Sequence, residues 1–503
     1  MAPLNPLDVE LDLPTMKRRS LHGASTTFLS QFAKFGLQFA AQIVLARLLD
    51  PAQYGLVALA APILGFVQTL NDLGLGQAII QKPQITQAQV SSLFWINVAL
   101  SLILSAAVVG LAPGVAWLYG EPRLQAVTVT LGCLIFVTAL SLQPTSLLSR
   151  QMRFVPLAII DISCVFASAV VGITMAWRGF GYWSLVWMQV ASSLTGLVLT
   201  WSFSGWRPSW PRRTPGLGPL IRFGAHLTGA NLAGFFSSSA DNIIVGLFAG
   251  TVQLGFYDRA YKLVAQPLQQ IMTPVSRIAV PLLSRLVGTE ETYRPTYLWM
   301  LQAMSLLCVP GLLCNIVFRY RIVTLLFGPQ WAAASPIFGW ICFGALAEPC
   351  YASAVWIFTT QGRTGQQMRV TVITSLINVA SFALGVYWGA LGVATVSALT
   401  FVFVQTPLMI LTATREGSIS ARAIGATVIP IIGSACCSSV ALYFLDRGAR
   451  TTSLGTILAS FVVSYLVYLI ATAMTPTGRT FLRKTLNLRV ILKRGSNGSS
   501  SPA

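Results

Sequence analysis

The chain has 503 residues, 54% of them hydrophobic and only 9% charged, with a formal net charge of +19 and a mean hydropathy of +0.70. Soluble domains carry about 25% charged residues, so this is the composition of an integral membrane protein. Apolar segments recur from end to end, which excludes a soluble enzyme held by a single anchor. The positive charge is not a nucleic-acid footprint, because Lys and Arg cluster in loops that alternate along the chain, the pattern of basic loops beside an anionic inner leaflet.

Residues 1–24 form a polar tail ending in Lys17-Arg18-Arg19. The apolar run after it has no small-residue cleavage pattern and continues as a full span, so no signal peptide is expected. Fourteen spans are predicted, at about 25–46, 54–76, 92–118, 125–147, 157–177, 182–202, 224–249, 263–287, 298–318, 334–358, 368–387, 391–412, 423–445 and 453–474, each near the ~20 residues that cross a bilayer. An even number puts both termini on one side. The excess of Lys and Arg marks that side as cytoplasmic. The longest cytoplasmic link, residues 203–223, carries Arg207, Arg212, Arg213, Arg222 and several prolines and separates the first six spans from the next six.

The expected architecture is therefore an all-α polytopic membrane protein of about 14 transmembrane helices. It comprises a cytoplasmic tail (1–24), an N-lobe of six spans (25–213), a C-lobe of six (214–412), two further C-terminal helices (413–475) and a basic cytoplasmic tail (476–503). Six is even, so the lobes enter the membrane in the same direction, a parallel repeat about an axis along the membrane normal. A sequence echo supports it. QIVLARLLDPAQYG from Gln42 to Gly55 aligns with NIIVGLFAGTVQLG from Asn242 to Gly255, with Ile43/Ile243, Gln53/Gln253 and Gly55/Gly255 identical. At the same offset Gln31, Gln38 and Gln42 align with Asn231, Ser238 and Asn242.

Chemistry is expected where polar groups enter spans, since a helix in lipid must hide them against protein or a watery cavity. In the first span, Thr27, Gln31, Lys34, Gln38 and Gln42 fall within about 80° of the helical wheel. In the eighth, Pro267, Pro274 and Pro281 recur every seven residues, with Gln266, Gln270, Thr273, Arg277 and Ser284 beside them and Val264, Leu268, Ile271, Met272, Val275, Ile278, Leu282 and Leu283 opposite. A cation at the centre of a span costs roughly 2.5–3.5 kcal/mol on insertion scales. Lys34 and Arg277 are therefore either cavity-facing functional groups or, for Lys34, snorkelled toward the inner headgroups. Among the acids, Asp72 is expected to balance a nearby cation and Asp161 to lie at the interface. Asp241 and Glu348 could bind a coupling proton or cation, or pair with Lys34 or Arg277. There is no GxxxxGK[ST] phosphate loop, no HExxH or paired-Cys zinc spacing and no GxSxG elbow. No catalytic residue, metal or cofactor is expected, and the eight cysteines read as small apolar fillers.

Several motifs resemble one family. Leu45-Ala46-Arg47-Leu48-Leu49-Asp50-Pro51-Ala52-Gln53-Tyr54-Gly55, Asp72-Leu73-Gly74-Leu75-Gly76 with Ala78-Ile79-Ile80-Gln81, Gly255 to Lys262, Pro274 to Pro281, and Leu326-Phe327-Gly328-Pro329-Gln330-Trp331 together are similar to the bacterial oligosaccharide-lipid flippases. These form the lipopolysaccharide and exopolysaccharide branch of the multidrug/oligosaccharidyl-lipid/polysaccharide (MOP) exporter superfamily. The resemblance spans about residues 21–475. It implies an inner-membrane transporter, not an enzyme, moving polyprenyl-pyrophosphate-linked repeat units to the periplasmic leaflet by alternating access. Membrane lipids, and polymerase and export proteins, are its implied partners, with no nucleic acid.

For such cargo, Lys34 and Arg277 would meet the pyrophosphate, while Gln31, Gln38, Gln42, Asn231, Ser238, Asn242 and Gln270 would line the cavity. Arg can give phosphate two parallel hydrogen bonds and Lys a point charge. A cation-coupled multidrug antiporter of the same superfamily is one alternative, and inward cations argue against it. A membrane polysaccharide polymerase or ligase is the other, and the short outer loops argue against that.

Overall fold

The computed structural model describes residues 13–72, 75–81, 85–210, 217–416, 419–448 and 453–485. The outer parts of both tails and the middle of the 203–223 link lie outside them. The described chain is all helical, and it clusters into two compact units, residues 1–255 and 256–503. Ten stretches among the described residues are long and apolar enough to cross a membrane. Helices suit this setting because every backbone donor and acceptor is satisfied within the segment, away from water.

The first unit holds α1 (Leu13–Leu48), α2 (Pro51–Asp72), a short α3 (Leu75–Gln81), α4 (Gln87–Leu118), α5 (Arg123–Arg150), α6 (Phe154–Trp177), α7 (Trp183–Ser204) and the start of α8 (Leu217–Leu286). α4 packs on α5, α6 on α7, α1 on α6, and α5 on α7. Local signals set the ends. Thr86 caps α4 through a capping box with Gln89, satisfying donors that the first turn leaves open. Gly205 ends α7 in the left-handed region at φ 63°, where a side chain would be strained.

The segment after Gly205 is not a loose linker. Trp206 is 1% exposed, in a core with Ile79, Ile85, Val90, Leu93, Phe94 and Leu147. Its Nε1 donates to Gln87 Oε1 at 2.7 Å, and Gln87 Nε2 donates to the Arg207 carbonyl at 2.7 Å. Trp95 Nε1 donates to the Ser209 carbonyl, and the Ser209 N–H to Ser91 Oγ. The first residues of the link are thus strapped to the start of α4.

α8 is broken at Gly250 (φ 82°). Beyond the break the helix resumes at once and meets the start of α2. A Cβ added at Gly55 would overlap the Thr251 carbonyl, and one at Gly255 would overlap the Pro51 carbonyl. The contact is reciprocal, since Pro51 and Thr251 stand at the same 200-residue offset as the two glycines. Two helix starts can approach this closely only where neither carries a side chain. The two glycines that the sequence echo holds identical are the two that touch.

The second unit continues α8 and adds α9 (Glu290–Val317), α10 (Arg319–Phe327), α11 (Ala334–Ala345), α12 (Glu348–Thr360), α13 (Thr364–Gly385), α14 (Gly389–Thr400), α15 (Thr406–Thr414), α16 (Ala421–Gly448) and α17 (Leu454–Met474). α11 and α12 are one span interrupted before Glu348-Pro349, and α14 and α15 are joined by a π turn over Phe401–Gln405. Residues 476–485, expected to belong to a basic tail, are helical and docked: Phe481 is 4% exposed, and Trp299 Nε1 donates to Thr485 Oγ1.

Two motifs meet within this unit. Gly328 takes φ 103°, Pro329 opens a 3-10 turn, and Trp331 is fully buried, edge-on to both Phe327 and Phe256. Two residues beyond Phe256, Asp258 is 4% exposed and clamped between two cations, with Arg259 Nη2 at 2.7 Å and Lys262 Nζ at 2.7 Å. Burial pushes the Asp258 carboxyl up, but the Lys262 and Arg259 charges and hydrogen bonds outweigh it and hold it at about 2.

These contacts carry two expected outcomes. Gly55→Ala and Gly255→Ala should each lower the thermal stability of the purified protein by about 1–3 kcal/mol, the cost of overpacking. Gly110→Ala, at a helical site with open space, should be neutral or stabilising. Asp258→Asn removes the negative charge between two cations and should cost about 3–5 kcal/mol. A carboxyl held at about 2, below its ordinary 3.8, contributes stability above pH ~4 that is lost as pH falls through 2. Thermal melts in detergent between pH 4 and 2 should show that loss in the wild type, with this share of it absent in Asp258→Asn.

Candidate functional site

α1 carries the expected polar stripe. Gln31 and Gln38 are exposed, Lys34 and Gln42 partly so, while Ala41, Leu45, Ala46 and Leu49 are buried. At 100° per residue Leu45 and Leu49 continue this same stripe, so the face is open around Gln31 and Gln38 and packed beyond Gln42. Lys34 finds its partner on α6: Nζ lies 3.4 Å from Asp161 Oδ2, with the side chains 32% and 45% exposed. Asp161, expected at the interface and without a named partner, is thus the counter-ion of Lys34. The missed signal is depth. Lys34 lies 14 residues before the end of α1 and Asp161 16 residues before the end of α6, about 21 and 24 Å at 1.5 Å per residue. Two parallel spans thus bring opposite charges to one level.

On α8 the sequence pattern divides the residues after Leu263 into two faces, and the structure has three sides. The packed side runs through Ser276, Ala279 and Leu283, the last two fully buried, with Ser276 Oγ accepting from Trp356 Nε1 at 3.2 Å. A second side is apolar and exposed, with Ile278 at 64% and Leu282 at 39%. Between them lies an exposed polar strip of Gln270, Thr273, Arg277 and Ser284. Ile278 and Leu282, expected on a common apolar face with Leu283, are thus separated from it. Arg277 makes no ion pair among the described residues.

The remaining candidates divide. Asp241 is 5% exposed, and its Oδ1 accepts the Asn242 N–H at 2.7 Å. The Asn242 Oδ1 is buried without a hydrogen bond. Glu348 opens α12 at the interruption of its span, where the N-terminal end of a helix favours a carboxylate. The side chains of Asp72, Asn231 and Ser238 lie outside the described residues. No group of three or more His, Cys, Asp or Glu among the described residues could hold a metal ion. In the first unit the partly exposed Lys34, beside Gln31 and Gln38, can meet an anion and hydrogen-bond a polyhydroxylated group through amides; in the second, Arg277 with Gln270 offers the same chemistry.

Comparison with known proteins gives a consistent picture. Lipopolysaccharide biosynthesis protein WzxC of Escherichia coli K12 is 23% identical over 398 residues, covering 78% of this chain and 79% of its own. Succinoglycan biosynthesis transport protein ExoT of Rhizobium meliloti is 25% identical over 339 residues, covering 67% and 69%. Among solved structures, the lipid II flippase MurJ in an inward closed conformation superposes with a TM-score of 0.72 at 13% identity, over 89% of this chain and 98% of its own. An inward-facing MATE-family multidrug transporter of the MOP superfamily gives 0.61 at 14%, over 76% and 94%. At these identities the two structures share the fold. A family model described as "Polysaccharide biosynthesis protein" matches residues 44–336, more than half of the chain. The chain therefore belongs to the polysaccharide biosynthesis protein family, with the link to MOP-superfamily oligosaccharide-lipid flippases that its motifs predicted.

Proposed function

We propose that this protein relocates a polyprenyl-pyrophosphate-linked oligosaccharide repeat unit from the cytoplasmic to the periplasmic leaflet of a bacterial inner membrane, by alternating access, for exopolysaccharide or lipopolysaccharide synthesis. The family and the transport and flippase names of its relatives support the class of cargo. The observation that carries the reading is the polar stripe of α1, where a partly exposed cation is flanked by exposed Gln31 and Gln38. A greasy surface would not hold these groups against lipid, and a pyrophosphate cannot shed its water without cations to receive it. In this reading Lys34 and Arg277 each take up phosphate oxygens. Gln31, Gln38, Gln42, Asn242 and Gln270, with Asn231 and Ser238, meet sugar hydroxyls. The polyprenyl chain stays in the bilayer along apolar sides such as that of Ile278 and Leu282. Asp241 and Glu348 are the acids proposed to take part in ion coupling, and Asp72 to balance a nearby cation.

The proposed topology has fourteen spans, two six-helix lobes (25–213 and 214–412) in parallel repeat, two added C-terminal helices (413–475) and both termini in the cytoplasm. Polysaccharide polymerase and export proteins are the proposed neighbours in the membrane.

Loss of the chain should leave a lipid-linked saccharide accumulating on the inner leaflet. Complementation with Lys34→Gln/Arg277→Gln should reach wild-type membrane levels by immunoblot yet reduce exported polysaccharide on the order of tenfold or more, as expected for two lost charge-assisted contacts. Full export by that variant contradicts the assignment of the two cations.

A further inference from the structure

The Lys34–Asp161 pair is loose for an ion pair inside a membrane protein. Its atoms stand 3.4 Å apart, and both side chains remain substantially exposed. Neither makes another ion pair among the described residues. Cys164, one turn beyond Asp161 on α6, lies within electrostatic reach of both charges and pairs with Ser192 on α7. This is the geometry of a pair that a third charged group can reach. A pair locked for stability would be sealed by shorter contacts, as Asp258 is by Arg259 and Lys262 at 2.7 Å in this same chain.

We infer that Asp161 is a resident counter-anion that the pyrophosphate of the cargo displaces from Lys34. The inference rests on the reading of Lys34 as a phosphate contact and assigns a role to a residue that reading leaves out. In the empty protein the pair is neutral, so the cation costs little in the span and Gln31 and Gln38 remain open. An arriving pyrophosphate carries more negative charge than one carboxylate and more acceptor oxygens, so it outcompetes Asp161 for the ammonium. Once the cargo moves away, Asp161 recaptures Lys34, which favours release. Asp161 therefore sets affinity against turnover: it weakens binding so that cargo can leave. It also selects for charge, because a lipid with an uncharged head has nothing with which to displace the carboxylate.

The test measures binding of geranylgeranyl pyrophosphate to purified full-length wild type, Lys34→Gln and Asp161→Asn in detergent, with geranylgeraniol as the uncharged control. The inference expects Lys34→Gln to weaken pyrophosphate binding on the order of tenfold. It expects Asp161→Asn to tighten binding several-fold while binding geranylgeraniol as wild type does. If Lys34→Gln binds as wild type does, the phosphate reading of Lys34 falls and this inference with it. If Lys34→Gln weakens binding and Asp161→Asn does not tighten it, the inference alone falls. Should Asp161→Asn not fold, Asp161→Glu keeps the charge on a longer arm. Binding at or below wild-type affinity agrees with competition, and tighter binding overturns it.

Discussion

A charge inside a bilayer must be matched or kept wet, and that constraint shapes the polar part of this structure. Three charged sites among the described residues show the range of solutions. Asp258 is sealed between Arg259 and Lys262. Lys34 is loosely matched by Asp161. Arg277 stands on an exposed strip between a packed side and an apolar side. The three arrangements run from a sealed cluster, through a partly exposed pair, to an exposed cation, and the proposed cargo contacts are the last two.

The motifs that identify the family are largely explained by packing. Gly55 and Gly255 are glycines because each faces the other's helix backbone. Gly328 supplies a left-handed turn that seats Trp331 against Phe256 and Phe327. Asp258 neutralises its cationic neighbours. The cargo chemistry proposed for α1 and α6 lies outside those motifs, at Lys34 and Asp161, although Arg277 lies within one. A family match in such a chain therefore speaks first to architecture. Substrate-level inference has to come from the charges left over once architecture has been explained.

Helical character and membrane class are legible because hydropathy and the scarcity of charge act over whole segments. The interruption before α12 falls inside the single expected span 334–358, where Pro349, which cannot donate to the preceding turn, is its signal. Other features are not legible. The π turn at Phe401–Gln405 contains no Gly or Pro, and Pro407 just beyond it signals a lost backbone donor without specifying a π turn. The strap of Trp206 on α4 depends on partners more than a hundred residues away, and a Trp in a Pro- and Arg-containing link reads like any interfacial aromatic. A helical wheel gives α8 two sides where the structure has three, because it ranks residues by polarity and cannot distinguish an apolar side packed on protein from one left exposed. The place of Asp161 is hidden while its depth is taken from the near end of its helix, and emerges only beside the depth of Lys34.

The central claim is that this protein carries a pyrophosphate-linked saccharide across a bilayer without altering it. The direct measurement is relocation of a fluorescent polyprenyl-pyrophosphate oligosaccharide in vesicles reconstituted with the purified protein, with a membrane-impermeant quencher reporting the leaflet. The claim predicts protein-dependent movement with the oligosaccharide recovered at its original length. Absence of movement in vesicles containing folded protein, or recovery of lengthened or cleaved saccharide, would contradict it.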